Sequence, residues 1–169
     1  LGRSLAAAID LPLEVVALAA PHLHPQPPGR QWYGLFPADW DAVPAAVEAL
    51  QERLKTITRQ GPSMERTVLL GFSQGGAMAL SSGCSLPLAG VISCSGYPHP
   101  NWQPADEHPA VLVMHGRQDT IVPPTAMDSI TERLRSDRCE TISFDSGHTI
   151  PEETVQPMLT FLKRVLKGS

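Results

Sequence analysis

An α/β fold with a mostly parallel sheet covered by helices on both faces is the class this chain predicts. Three observations carry that expectation. Short apolar runs rich in β-branched residues alternate along the chain with segments of helical periodicity. The strand-like runs Thr67 to Phe72 and Val111 to His115 are almost continuously apolar, as in strands buried on both sides. Each of those runs opens into a glycine-bearing polar turn, the pattern of strand-to-helix connections.

In chain order, Leu1 to Ile9 reads as a helix and Glu14 to Leu18 as a first strand. Pro21 to Pro37 reads as a long loop with four prolines before Gly29. Asp41 is placed to cap a helix running to about Thr58, with Val43, Val47, Leu50, Leu54 and Ile57 on one face. Thr67 to Phe72 is then a buried strand, and Gly76 to Leu80 supplies small and apolar residues for a helix packed closely on a sheet. Gly90 to Ser95, Val111 to His115 and Glu140 to Phe144 are the remaining strands. Met127, Ile130 and Leu134 mark one later amphipathic segment; Leu159, Leu162 and Leu166 mark another, with Pro157 suited to its first turn. These stripes read as core. No internal repeat or linker interrupts residues 1–169, which are expected to form one domain.

Composition narrows the partners. The formal charge is −4, without a basic run or basic-aromatic patch, which argues against nucleic acid or an anionic membrane surface. No apolar run approaches membrane-spanning length. The three cysteines Cys84, Cys94 and Cys139 make an odd set and read as reduced thiols of a cytoplasmic protein.

Chemistry concentrates at Gly71-Phe72-Ser73-Gln74-Gly75, a serine between glycines directly after a strand. A strand turning sharply into a helix holds such a serine in a strained conformation with its hydroxyl exposed. Side chains at Gly71 and Gly75 are expected to collide with the tight backbone there. The bland alternative is an ordinary glycine-rich turn, since the pattern alone is weakly selective. A serine nucleophile needs a base and an acid to orient that base. Gly116-Arg117-Gln118-Asp119 follows one strand and Asp145-Ser146-Gly147-His148 follows the next. Asp119 is therefore the candidate orienter and His148 the candidate base. The order serine, aspartate, histidine, each beyond the carboxyl end of its own strand, is the order of the α/β-hydrolase triad.

Each assignment has a rival. His115 lies nearer Asp119 but ends a strand, where a partly buried histidine is ordinarily structural. Asp145 shares a short loop with His148 and serves equally well to shape that turn. His22-x-His24 has metal-ligand spacing but no carboxylate or cysteine partner, so His22, His24, His99 and His108 read as solvated loop histidines and no metal is expected.

The stretch Leu70-Gly71-Phe72-Ser73-Gln74-Gly75-Gly76-Ala77 is far more selective than the serine elbow alone. With Arg66 ahead of it, Ser93-Cys94-Ser95-Gly96, Gly116-x-x-Asp119 and Gly147-His148, it resembles the small α/β-hydrolases that include carboxylesterases, lysophospholipases and acyl-protein thioesterases. The likeness runs from about Ala17 to the last helix. It implies an α/β-hydrolase fold and hydrolysis of a carboxylic ester or thioester through an acyl-serine, without metal or organic cofactor. Ser73, Asp119 and His148 would be nucleophile, orienter and base, and the Gln74 N–H one oxyanion donor. Substrates would be small molecules or acyl chains, and self-association into a homodimer stays open, as do a peptidase or a lactone hydrolase on the same fold.

One departure stands out. Members of that family carry a strand ending in His-Gly whose following amide is the second oxyanion donor, and nothing here matches it. The fold is therefore expected to be incomplete at its amino end, with a gap between Glu14 to Leu18 and Thr67 to Phe72. Loss of one oxyanion donor typically slows acyl transfer about a hundredfold to a thousandfold, so a non-catalytic or weakly active binding module is the competing reading. Trp32, Tyr33, Leu35 and Phe36 are candidates to line an acyl channel or form a small lid, with capping of the core beneath a long loop as the alternative.

Overall fold

In the computed structural model, which describes residues 1–167, four parallel strands form the central sheet in the order β3-β4-β5-β6. They are β3 (Val68–Phe72), β4 (Gly90–Cys94), β5 (Ala110–Gly116) and β6 (Cys139–Phe144). The registers are regular: Val68 opposes Gly90, Gly90 opposes Ala110, and Val111 opposes Cys139. Parallel neighbours require crossovers; residues 95–109 join β4 to β5 without a helix, and segments predicted as helical provide the other two. These are α3 (Gln74–Gly83) between β3 and β4, and α4 (Thr125–Thr131) between β5 and β6.

Strand periodicity sorts the core into two layers. Ile92, Leu112, Met114 and Phe144 face one side, where α1 (Gly2–Ala8) and α5 (Val155–Lys167) contribute Leu5, Met158, Leu159, Phe161 and Leu162. Val91, Val111 and Val113 face the other, against Ala79, Leu80, Ile130 and Leu134. Outside α3 lies α2 (Val43–Gln60), which buries Val43, Ala46, Leu50 and Leu54 with Trp32, Tyr33 and Met78. Two-sided burial explains why β4 is buried at every position.

Three sequence expectations need correction. Glu14 to Leu18 forms no strand; Glu14–Ala17 are exposed, Val15 and Val16 to 46% and 50%. A strand exists only through its ladder, and among the described residues this apolar run pairs with no strand, β3 being paired with β4 alone. Among the described residues no strand pairs with the other edge of β3, and every residue of β3 is only partly buried. The helix after the long loop is preceded by a turn of 3-10 helix, Trp40–Ala42, whose cap is Asp39 and not Asp41: the Asp39 carboxylate accepts the Ala42 N–H at 3.2 Å. The long loop itself contains a two-residue hairpin, β1 (His22–Leu23) with β2 (Arg30–Gln31). The Arg30 guanidinium binds the Ala20 and Pro21 carbonyls and braces this loop.

Candidate active site

The carboxyl ends of the parallel strands lie along one rim of the sheet, and three of them deliver the predicted polar residues. Ser73 follows β3 with φ 55° and ψ −121°, a left-handed conformation that costs a non-glycine residue of order 1–3 kcal/mol. The surrounding backbone imposes it. The Ser73 N–H donates to the Cys94 carbonyl of the neighbouring strand, and the Ser73 carbonyl accepts the Ala77 N–H as α3 begins. A Cβ at Gly71 would overlap the Gly75 carbonyl, so only glycine fits there. Gly75 itself departs from expectation, because a Cβ there meets nothing within 4 Å. The second tight position is Gly76, where a Cβ would lie 2.9 Å from Ser93 Oγ and 3.0 Å from Gly96 Cα.

The structure brings Ser73, His148 and Asp119 into one hydrogen-bonded line. Ser73 Oγ is 2.9 Å from His148 Nε2, and His148 Nδ1 is 2.7 Å from Asp119 Oδ2. Because the carboxylate can only accept, Nδ1 carries the proton and Nε2 is left with a lone pair facing the serine hydroxyl. The second oxygen, Asp119 Oδ1, accepts the N–H groups of Ile121 and Val122, both at 2.9 Å. Burial pushes the Asp119 pKa up. The bonds from His148, Val122 and Ile121 outweigh it and hold the carboxyl below its ordinary range, so it is ionised at neutral pH. The Phe72 ring packs against the imidazole with centroids 4.7 Å apart.

The loops carrying Asp119 and His148 are tied to each other. The Arg117 N–H donates to the Phe144 carbonyl at 2.9 Å and Gln118 N–H to Ser146 at 3.1 Å. Gly116 admits this approach, since a Cβ there would strike the Ser146 and Gly147 carbonyls. Asp145, the rival orienter, is exposed and pairs with Arg117 at 2.8 Å, not with His148. His115, the rival base, is buried with Nε2 3.0 Å from the Val122 carbonyl, and so braces the turn that holds Asp119.

The candidate substrate residues separate. Trp32 and Tyr33 are buried in the layer beneath α2, which is the core-capping alternative for those two. Leu35 is partly buried against that cluster, whereas Phe36 is 85% exposed. Gln74, next to the serine, reaches this loop with its side chain: Oε1 accepts the Trp32 N–H at 2.8 Å and Nε2 donates to the Tyr33 carbonyl at 2.9 Å.

His99 and His108 are not the solvated loop histidines expected from their proline-rich surroundings. His99 is 2% exposed and sits between Ser81 Oγ and the Tyr33 hydroxyl, both at 2.7 Å. Tyr33 OH in turn meets Tyr97 OH at 2.7 Å. His108 is buried too, donating from Nδ1 to the Pro109 carbonyl and accepting the Arg135 N–H at Nε2. A proline-rich stretch signals a loop, and here the loops fold back onto the sheet and bury these rings. His24 Nδ1 accepts the Gln26 N–H, and no cluster of metal-ligating side chains occurs among the described residues. Cys84, Cys94 and Cys139 are free thiols, the first two buried, with burial pushing Cys84 and Cys94 up to about 12. No helix of the described residues is long and apolar enough to cross a membrane.

Comparison with known proteins agrees with this architecture. Two curated relatives are both acyl-protein thioesterase 1, from Eremothecium gossypii (25% identical over 146 residues) and Saccharomyces cerevisiae (23% over 147). The alignments take in 79% and 77% of this chain, which spans 62% and 63% of those proteins. Among solved structures, esterase PE8 superposes with a TM-score of 0.75 at 30% identity, covering 88% of this chain and 76% of that one. SOBER1 of Arabidopsis thaliana gives 0.70 at 25%, covering 81% and 74%. Residues 9–166 match the phospholipase/carboxylesterase family, and with the parallel sheet and the serine elbow already described, the chain belongs to that family of α/β-hydrolases.

Proposed function

We propose that this protein is a serine hydrolase that cleaves carboxylic esters or thioesters through an acyl-serine intermediate. The observation that carries the reading is the unbroken hydrogen-bonded line from Asp119 through His148 to Ser73. In the first half-reaction the Ser73 Oγ–H proton passes to His148 Nε2 as the oxygen bonds to the acyl carbon, and the carbonyl electron pair moves onto oxygen. Asp119 steadies the imidazolium, its carboxylate already held in the charged form. Collapse of the tetrahedral species expels the alcohol or thiol, which takes the proton from Nε2. Water then attacks the acyl-serine, again giving its proton to His148, and the acid leaves as Ser73 Oγ recovers a proton. The role of oxyanion donor falls to the Gln74 N–H, one of the amides at the start of α3 that have no acceptor within the helix.

For the substrate, Phe36 is the strongest candidate to meet an acyl chain, with Leu35 beside it; Trp32 and Tyr33 act by shaping the loop from below. The names of the relatives, a thioesterase and an esterase, favour a thioester or an ester. The test is labelling by a fluorophosphonate together with turnover of matched p-nitrophenyl esters and acyl thioesters. Labelling at Ser73 that disappears in Ser73→Ala and in His148→Ala supports the reading. An unlabelled folded protein would leave it a binding module.

A further inference from the structure

We propose that the Gln74 side chain is a positioning device for the reaction: by bracketing the loop at Trp32 and Tyr33 to the start of α3, it holds the oxyanion-donor amide of the same residue in place. The inference rests on the proposed function and adds a role for a group that takes no part in the steps above.

The geometry is specific to an amide. Its two bonds run to consecutive backbone groups, one donor and one acceptor, 42 and 41 residues away in the chain. That pairing also fixes the orientation of the amide, because Oε1 must face the Trp32 N–H and Nε2 the Tyr33 carbonyl. A carboxylate of the same length keeps the first bond and sets oxygen against oxygen at the second. An isosteric thioether keeps neither.

What the bracket grips is itself firm. The Tyr33 ring is 2% exposed, and its hydroxyl bonds His99 Nε2, whose Nδ1 bonds Ser81 Oγ. Ser81 lies on α3, about 10 Å along the helix from Gln74 at 1.5 Å per residue. The loop is thus fastened to α3 at two places, near its start by Gln74 and two turns later through His99. Ser73, immediately before Gln74, holds a strained left-handed conformation. Such strain persists only where the surroundings over-determine it. The Gly71 crossing constrains the strand side of the elbow, and the Gln74 bracket constrains the helix side.

The experiment compares wild type with Gln74→Met, Gln74→Glu and Tyr33→Phe, each corrected for folded fraction by its melting curve. It reads kcat and KM on a p-nitrophenyl ester, and the inhibition constants of an alkyl trifluoromethyl ketone and of the product acid. A misplacement of about 1 Å can cost a hundredfold in rate. The expected result for Gln74→Met is a fall in kcat of about tenfold to a hundredfold with KM changed less than about threefold. Binding of the ketone, which forms a tetrahedral adduct, should weaken in step with kcat/KM while product-acid binding stays level. Gln74→Glu should lose as much, and Tyr33→Phe, which loosens the far fastening, should lose less. A lower melting temperature with wild-type kcat in the folded fraction would overturn the proposal and reduce Gln74 to a stabilising contact. If the wild type neither labels at Ser73 nor turns over, the hydrolase reading fails, and this proposal falls with it.

Discussion

Acidification should weaken this fold through one ring, His99. Both of its nitrogens are occupied, by Ser81 and Tyr33, and burial pushes its pKa down to about 4 from an ordinary 6.5. The folded protein therefore keeps His99 neutral while the unfolded chain takes up a proton below pH 6.5. With the unfolded state binding more protons, stability is intact above pH 6.5 and falls as pH drops towards 4. The linkage integral for that pair of values is about 2 kcal/mol between pH 7.5 and 5, and approaches about 3 kcal/mol near pH 4. Hydroxyl partners can accept from an imidazolium as readily as donate to an imidazole, so burial of charge sets the cost more than lost hydrogen bonding. The assay is urea unfolding at pH 7.5, 6 and 5 for wild type and His99→Gln, which retains a polar group and does not titrate. His99→Gln should lower stability at pH 7.5 and flatten its decline towards pH 5 by about 2 kcal/mol. Parallel declines in the two proteins would refute the reasoning and place His99 in contact with water.

Three further outcomes follow from the site. Asp119→Asn should lower kcat about 10⁴-fold, because an amide no longer selects the tautomer that leaves Nε2 free; Asp145→Asn, which breaks only an exposed pair with Arg117, should stay within about twofold. Steady-state kinetics on one ester checks both, and the reverse ranking would make Asp145 the orienter. Gly71→Ala should abolish soluble folded protein or Ser73 labelling, whereas Gly75→Ala, whose new methyl meets open space in a helix, should keep both and raise stability by about 0.5–1 kcal/mol in thermal melts. Trp32→Ala should destabilise by about 3–5 kcal/mol as a buried aromatic. Phe36→Ala should leave the melting temperature within about 2 °C, since surface changes cost about 0.5 kcal/mol or less, and shift acyl chain-length preference across a series of p-nitrophenyl esters; unchanged preference would remove Phe36 from the substrate path.

Local patterns carried much of this molecule. Apolar runs announce β3, β4 and β5, and the strand-like Glu140 to Phe144 announces β6, each within a residue or two at either end, and the glycine-flanked serine announces the elbow. The order of Ser73, Asp119 and His148, each after its own strand, was enough to single out the three side chains that meet, because in a parallel sheet every strand delivers its carboxyl end to the same rim. What sequence alone left undecided depended on partners distant along the chain. Glu14 to Leu18 has the composition of a strand and is not one, since a ladder requires a neighbour that composition does not reveal. Gly71 and Gly75 read as equivalent, yet only Gly71 faces the backbone crossing. His99 stands among prolines like a solvated loop residue, and became a buried link only when Tyr33 arrived from 66 residues away. Periodicity and turn chemistry are properties of neighbouring residues and so are written in order along the chain; burial, pairing and the protonation of a histidine depend on which remote atoms exclude water from it, and only the folded chain decides that.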